Sequence, residues 1–418
     1  MVGVLAGNVL GFVRTAVTAY LLGVHKQADS LAVAIGPVDT LNSVLINGVV
    51  FAFVPMLTAC EDGARAAMFR KLRNSLVWLC SAIGAAVLLA APWLMRALGP
   101  GLDAASMAEA VMALRILSLA PVAAGISAIH CAILYTERRF APTAFHQAAV
   151  NLFTICGALA LWRVLGVYAF ALGYTCGACA QLAIVWIASR GSATAPSTAV
   201  CDVQWNEILA KPAFYVVYAL GLGLNLTFTR AWATHAGPGM AAALDYCMRG
   251  VGVPMALLVN PISNSILPEI AKLRSLGRLR EAFRLIDRTI ALSALAAVAG
   301  CAFALAFRRP AIAIIFQHGH FTAESTLLVS AVFLGLGPSL IGWTLIEIAS
   351  RSLFALDRRW PPVLAASLPL LLNTALTLRF HLSSPEQIGL GSSVGLMVGF
   401  AVLFAIQRIY RRRWLEQG

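Results

Sequence analysis

The sequence predicts an all-α polytopic membrane protein of about 12 transmembrane helices in two six-helix lobes. Three observations carry this. Of its 418 residues, 60% are hydrophobic and 12% charged, and the mean hydropathy is +0.82, whereas a soluble globular chain carries about 45–50% apolar and about 25% charged residues. Apolar windows of roughly 20 residues, the length of a bilayer-crossing helix, recur from end to end. The basic residues sit in short clusters between those windows. Together these exclude a single water-soluble enzyme, a disordered chain and a coiled coil. The net charge of +13 is therefore a membrane-topology pattern rather than a basic face, and no nucleic-acid partner is expected.

In order, the windows are 2–22, 31–57, 76–98, 111–134, 143–162, 167–188, 213–234, 243–267, 289–307, 326–350, 361–378 and 388–407. The first is expected to be a retained span rather than a cleaved signal peptide, because it lacks a charged n-region and a small-residue cleavage site and carries Arg14 inside. Segments 58–75, 135–142, 189–212, 268–288, 351–360 and 408–418 hold 21 Lys and Arg, against 6 in the alternate set. That bias predicts an even span number with both termini cytoplasmic. The longest polar interruption, Ser189–Pro212, reads as a linker, giving an N-terminal lobe at 1–190, a linker at 191–212 and a C-terminal lobe at 213–418. Leu273, Leu276, Leu279, Phe283 and Ile286 recur at helical spacing, so Glu269–Thr289 reads as one basic amphipathic helix on the inner membrane surface. Cys176 and Cys179 form a CxxC inside GYTCGACA, a small-residue run that points to close helix packing rather than metal or redox chemistry.

An ionisable group within a span costs about 2.5–3.5 kcal/mol on insertion scales. The spans hold Arg14, Asp39, Arg115, Arg230, Asp245, Arg249 and Glu347. The functional reading is a water-filled central cavity between the two lobes, whose arginines bind an anionic headgroup, because the guanidinium fork meets phosphate oxygens with two parallel hydrogen bonds. Arg115, Arg230 and Asp245 read as structural. Pro37, Pro55, Pro121, Pro254, Pro261 and Pro338 interrupt spans, where proline removes a backbone bond and kinks the helix. There is no Walker A loop, Gly-x-Ser-x-Gly, HExxH or paired acidic catalytic motif, which leaves a transporter or a membrane-embedded transferase. The expectation is a transporter, with no enzyme activity, cofactor or metal site. His318 and His320, an HGH without acidic company, read as surface groups.

The residues then resemble a known family. LGFVRTAVTAYLLGVHKQADSLAVAI…LINGVVFAFVPML (Leu10–Leu57) is similar to the first two helices of the MurJ/MviN lipid II flippases of the MOP exporter superfamily. Their pattern there is LGFxRDxxxAxxxGxxxxxDAFxxAF…GxFxxAFVPxL. DYCMRGVGVPMALLVNPISNSILPEI (Asp245–Ile270) resembles the family's eighth helix, FQHGHFT (Phe316–Thr322) its outer loop, and RSLFALDRRWPP (Arg351–Pro362) its cytoplasmic turn.

The resemblance implies a MOP flippase fold that alternates between inward-open and outward-open states. It implies a multi-pass protein of the bacterial cytoplasmic (inner) membrane that moves an undecaprenyl-pyrophosphate-linked glycan, with lipid II the family default. Glycan-synthesis enzymes and membrane lipids are the implied partners. Arg14 matches the motif arginine, Asp29 the aspartate before the second helix, and Arg249 the eighth-helix arginine. Arg14, Arg249, Asn8 and Asp39 form the expected substrate-binding set; Asp29, Gly48, Pro55 and Pro254 form the expected gating or structural set. Asn8 stands where many members have a further arginine, Thr15 where they have the motif aspartate, and Ser43 and Val44 where they have paired arginines. The positions of a cation site found in some members fall on Thr229, Asn373 and Thr377. Lipid II flippases of the family usually have fourteen helices. These departures make two alternatives: a Wzx-like flippase for an exopolysaccharide or O-antigen repeat unit, and a non-transporting scaffold of a glycan-synthesis complex.

Overall fold

The computed structural model describes residues 2–60, 62–193, 205–254 and 260–416. The chain divides into two compact units, Met1–Val216 and Val217–Gly418.

In the first unit lie α1 (Val2–Leu22), α2 (Lys26–Ala59), α3 (Asp62–Leu98), α4 (Ala104–Leu117), α5 (Leu119–Thr136), α6 (Phe140–Leu165) and α7 (Tyr168–Ala188). A core of Phe53, Met56 and Leu57 from α2, Phe69 and Leu72 from α3, and Ile129 and Ile133 from α5 joins three of these helices. A close backbone seam lies between α6 and α7. A Cβ added at Gly177 would fall 2.6 Å from the Val150 Cα, one at Gly173 2.7 Å from the Phe153 carbonyl oxygen, and one at Gly157 2.8 Å from the Gly173 Cα. In lipid, such small-residue seams bind helices through van der Waals contact, since the surrounding acyl chains leave little hydrophobic drive between them. The packing expected around the CxxC is thus made by its glycine neighbours, while Cys176 and Cys179 face outward and are exposed. On the other side of α6, the Asn151 Nδ2 donates to the Gly7 carbonyl of α1 at 3.0 Å. The apolar outer surface, with Trp78 78% exposed on α3, suits a lipid surround.

The second unit continues α8 (Trp205–Ala236) and holds α9 (Met240–Pro254), α10 (Asn260–Ser275), α11 (Leu279–Ala306), α12 (Arg308–Phe316), α13 (Ala323–Leu336), α14 (Ser339–Ala355), α15 (Trp360–Phe380) and α16 (Leu390–Glu416). Ile270, Phe283, Ile286, Leu345, Ile348, Leu353 and Leu403 build its core. A second seam runs along α16, where Gly391, Gly395 and Gly399 recur every fourth residue. An added Cβ at each would meet Asn373, Pro369 and Ala365 of α15 within 2.6–2.7 Å.

Each predicted window falls mostly on helix among the described residues. Among the described residues, eight helical stretches are long and apolar enough to span a bilayer, and α13 with α14, bent by 43°, makes a ninth. The bend falls at Gly337–Pro338, where the proline cannot supply a backbone N–H. The apolar part of α1, Ala6–Leu22, is shorter. The window at 243–267 covers α9 and α10, and residues 255–259 between them lie outside the described residues. Three boundaries differ from expectation. The window at 111–134 starts earlier, as α4 and α5 meeting at Ser118. The basic segment 58–75 is mostly the first turns of α3, and there Arg65 donates to the carbonyls of Leu57 at 2.9 Å and Cys60 at 3.0 Å, satisfying acceptors left open at the end of α2. The linker at 191–212 lies partly outside the described residues, and its last eight residues belong to α8.

Glu269–Thr289 is not one surface helix. Gly277, at φ +70°, ends α10 in a Schellman turn in which the Arg278 N–H reaches the Leu273 carbonyl at 2.9 Å and the Gly277 N–H that of Arg274 at 3.0 Å. Phe283 and Ile286 then turn inward and are fully buried in the core of the unit, while Leu276 is 57% exposed.

Candidate anion-binding site

The charge in α1 is not alone. Arg14 is half-buried, and its guanidinium lies over the ring of Tyr174 from α7, with Cζ 5.7 Å from the ring centroid. The Tyr174 hydroxyl donates to the Asp39 Oδ1 of α2 at 2.6 Å and accepts from the Asn42 Nδ2, one turn further along α2, at 3.0 Å. Tyr174 is only 4% exposed. Among the described residues no carboxylate pairs with Arg14. Two opposite charges thus share one phenol, the cation on its face and the anion on its hydroxyl. A guanidinium held on an aromatic face keeps its N–H donors for the oxygens of an anion.

The other predicted residues of this unit stand apart from the cluster. Asn8 is exposed on α1, six residues before Arg14 and so about 120° around the helix. Asp29 is 2% exposed in the first turn of α2, where the positive end of the helix dipole favours a carboxylate. Gly48 is buried on α2, and Pro55 lies within that helix with its side chain outside the described ones.

In the second unit, Arg249 is half-buried on α9, one turn after Asp245 and hence on the same helix face. Pro254 is the last residue of α9, its side chain outside the described ones. Arg230 of α8 is 8% exposed, and its Nε meets the Asp245 Oδ1 at 2.5 Å, a structural ion pair across α8 and α9. Glu347 of α14 is also partnered: the Tyr218 hydroxyl of α8 donates to its Oε2 at 2.8 Å, and Arg351 donates to its Oε1 at 2.7 Å. Arg115 is exposed in the last turn of α4, and His318 and His320 are exposed in the loop after α12.

Thr229, Asn373 and Thr377 line one small cavity of about 10 Å³, together with Trp232, Gln387 and Gly389, the volume of about one water molecule. The Asn373 Nδ2 donates to the Thr229 Oγ1 at 2.8 Å and the Asn225 Oδ1 at 3.2 Å, and the Asn225 Nδ2 donates to the Ser392 Oγ at 2.8 Å. The residues lining the cavity include no carboxylate, and an asparagine NH2 group points into this network. The set does not fit a bound cation.

Sequence reasoning named Arg14 and Asp39 but missed Tyr174 and Asn42. The asparagine was visible as a polar residue one turn after Asp39, whereas a tyrosine in an apolar run carried no signal. It also missed the ties around Tyr218 and Asn225, which pair residues more than a hundred positions apart in sequence.

The all-α fold of these helices matches that of solved structures of the MOP superfamily. The inward-facing structure of a multidrug resistance MATE family transporter of that superfamily matches with a TM-score of 0.83 at 12% identity, over 97% of this chain and 96% of that one. A lipid II flippase MurJ in an inward-closed conformation matches with the same TM-score at 20% identity, over 97% of this chain and 87% of the other. The family model described as lipid II flippase MurJ matches residues 18–417. A probable lipid II flippase MurJ of Rhizobium meliloti is 24% identical over 98% of this chain and 79% of its own length. The lipid II flippase MurJ of Burkholderia cenocepacia is 24% identical over 94% and 79%. The chain belongs to the lipid II flippase MurJ family, a family of membrane transporters rather than enzymes.

Proposed function

We propose that the chain moves lipid II, the undecaprenyl-pyrophosphate-linked glycan of peptidoglycan synthesis, across the bacterial cytoplasmic membrane by alternating access. Both termini lie on the cytoplasmic side in this reading, and Arg14 and Arg249 meet the pyrophosphate. The observation that carries the reading is the state of Arg14: a guanidinium inside a span, held on the Tyr174 ring and paired with no carboxylate among the described residues. Left without an anion, such a charge costs about 2.5–3.5 kcal/mol, and a charge-assisted contact returns about 1.5–3 kcal/mol of that.

The test is complementation of a strain depleted of its own lipid II flippase, scored by growth and by access of lipid II to an outer-face probe. The chain should rescue both, and Arg14→Ala or Arg249→Ala should abolish rescue while membrane levels persist. Failure of the unaltered chain at normal membrane levels overturns lipid II as the substrate. Rescue that survives both substitutions overturns the arginine assignment.

A further inference from the structure

Asp39 and Arg14 are opposite charges on neighbouring spans, and in a medium of low polarity such charges are drawn together strongly. They nevertheless do not pair. Tyr174 instead contacts each of them: ring face to guanidinium, 5.7 Å from Cζ to centroid, and hydroxyl to carboxylate, 2.6 Å. Asn42 donates to the same hydroxyl at 3.0 Å, so the phenolic proton is directed to Asp39 and the oxygen lone pair is occupied.

We infer that Tyr174 is a positioning residue that holds Asp39 off Arg14, keeping the guanidinium available to the anionic headgroup. The inference rests on the reading of Arg14 given above. The hydroxyl gives the carboxylate a partner other than the arginine, and the ring gives the arginine a partner that does not neutralise it. Without the hydroxyl, Asp39 loses the one hydrogen bond its carboxylate accepts among the described residues, and Arg14 is the cation beside the same ring to which it can turn. An ion-paired arginine would have to break that pair before it could bind a pyrophosphate. In this arrangement Asp39 is a competitor for Arg14 and not a substrate ligand.

The test is binding of undecaprenyl pyrophosphate, presented in mixed detergent micelles, to the purified full chain. Tyr174→Phe keeps the ring and removes the hydroxyl, and the apparent Kd should rise about tenfold. Adding Asp39→Asn removes the competing carboxylate, so Tyr174→Phe/Asp39→Asn should return to the Kd of Asp39→Asn alone. A merely structural tyrosine would show no such recovery. Should Tyr174→Phe fail to fold with Asp39 left unbonded, the pair Tyr174→Phe/Asp39→Asn and Tyr174→Leu/Asp39→Asn replaces it, and the second should bind about tenfold more weakly because it lacks the ring. Unchanged binding by Tyr174→Phe, a double variant no better than Tyr174→Phe, or equal binding by the Phe and Leu doubles each overturns the inference. Arg14→Ala separates the two levels: if it binds as tightly as the unaltered chain, it is the reading of Arg14 that has failed.

Discussion

Replacing Asp245 by asparagine removes the carboxylate from the pair with Arg230 and leaves the arginine in place. The guanidinium is nearly buried, with a side chain 10% exposed, while that of Asp245 is 27% exposed. Two unit charges 4 Å apart attract by about 4 kcal/mol at an effective dielectric of 20. Removing one partner of a fully buried pair costs about 3–5 kcal/mol, because the remaining charge is stranded. The partial exposure of Asp245 lowers that, so Asp245→Asn should destabilise by about 2–3 kcal/mol, close to the insertion cost of a lone arginine. Arg230→Gln leaves the charge on the more exposed partner and should cost less. Neither stranded charge survives in Asp245→Asn/Arg230→Gln, so the double variant should lose at least about 1 kcal/mol less than the two single losses together. Equilibrium unfolding of the purified chain in mixed dodecyl maltoside and SDS micelles reads all three. Additive losses would refute the argument, since the 2.5 Å contact would then contribute nothing that depends on both groups.

Three further predictions concern packing and charge. Gly177→Ala drives a methyl to within 2.6 Å of the Val150 Cα and 2.9 Å of its carbonyl oxygen; backbone cannot rotate away, so a loss of about 1–3 kcal/mol is expected in the same unfolding assay. Gly300→Ala, in α11 with nothing within 4 Å of the new methyl, should be neutral or stabilise by up to about 1 kcal/mol. Asp103, which caps α4, is held well below the usual carboxylate range by its hydrogen bond from Lys26 at 2.6 Å and by the Ser106 N–H at 2.9 Å. A lowered folded-state pKa stabilises above the unfolded value of about 3.9, and that contribution fades as pH falls below it toward the folded value. The unaltered chain should therefore lose more stability than Asp103→Asn between about pH 4 and pH 2, the asparagine keeping the cap without the charge.

Hydropathy located the helices because composition alone tells a chain in lipid from a chain in water. It misplaced their ends where polar helix continues past the apolar core. Asp62–Asn74 reads as a loop by charge, yet its alanines, leucine, lysine and arginines are good helix formers. The break at Gly277 was written in the sequence as Leu276-Gly277-Arg278, but the hydrophobic spacing across it hid the turn. The recurrence of Gly391, Gly395 and Gly399 was equally visible. Arg14 and Asp39 stood out because a charge in an apolar run needs a reason. Tyr174 did not, because its role depends on two partners 160 and 135 residues earlier in the chain, brought beside it only by the packing of α1, α2 and α7.

That packing mounts the cluster on two sets of helices that also touch one another, Val185 of α7 packing with Cys131 and Leu134 of α5 and with Val50 of α2. The helix α6 carries α1 on one side, through Asn151 and Gly7, and α7 on the other, through the glycine seam. The arginine and the aromatic ring are therefore both carried on helices that pack against α6. Asp39 and Asn42 are fixed elsewhere, to the helix that shares its core with α3 and α5. A slide of α2 along α7 would change the reach of the 2.6 Å bond while the guanidinium stayed on its ring. On the proposal made above, the carboxylate would be the adjustable member of the set, its reach to the Tyr174 hydroxyl set by the register of α2 against α7.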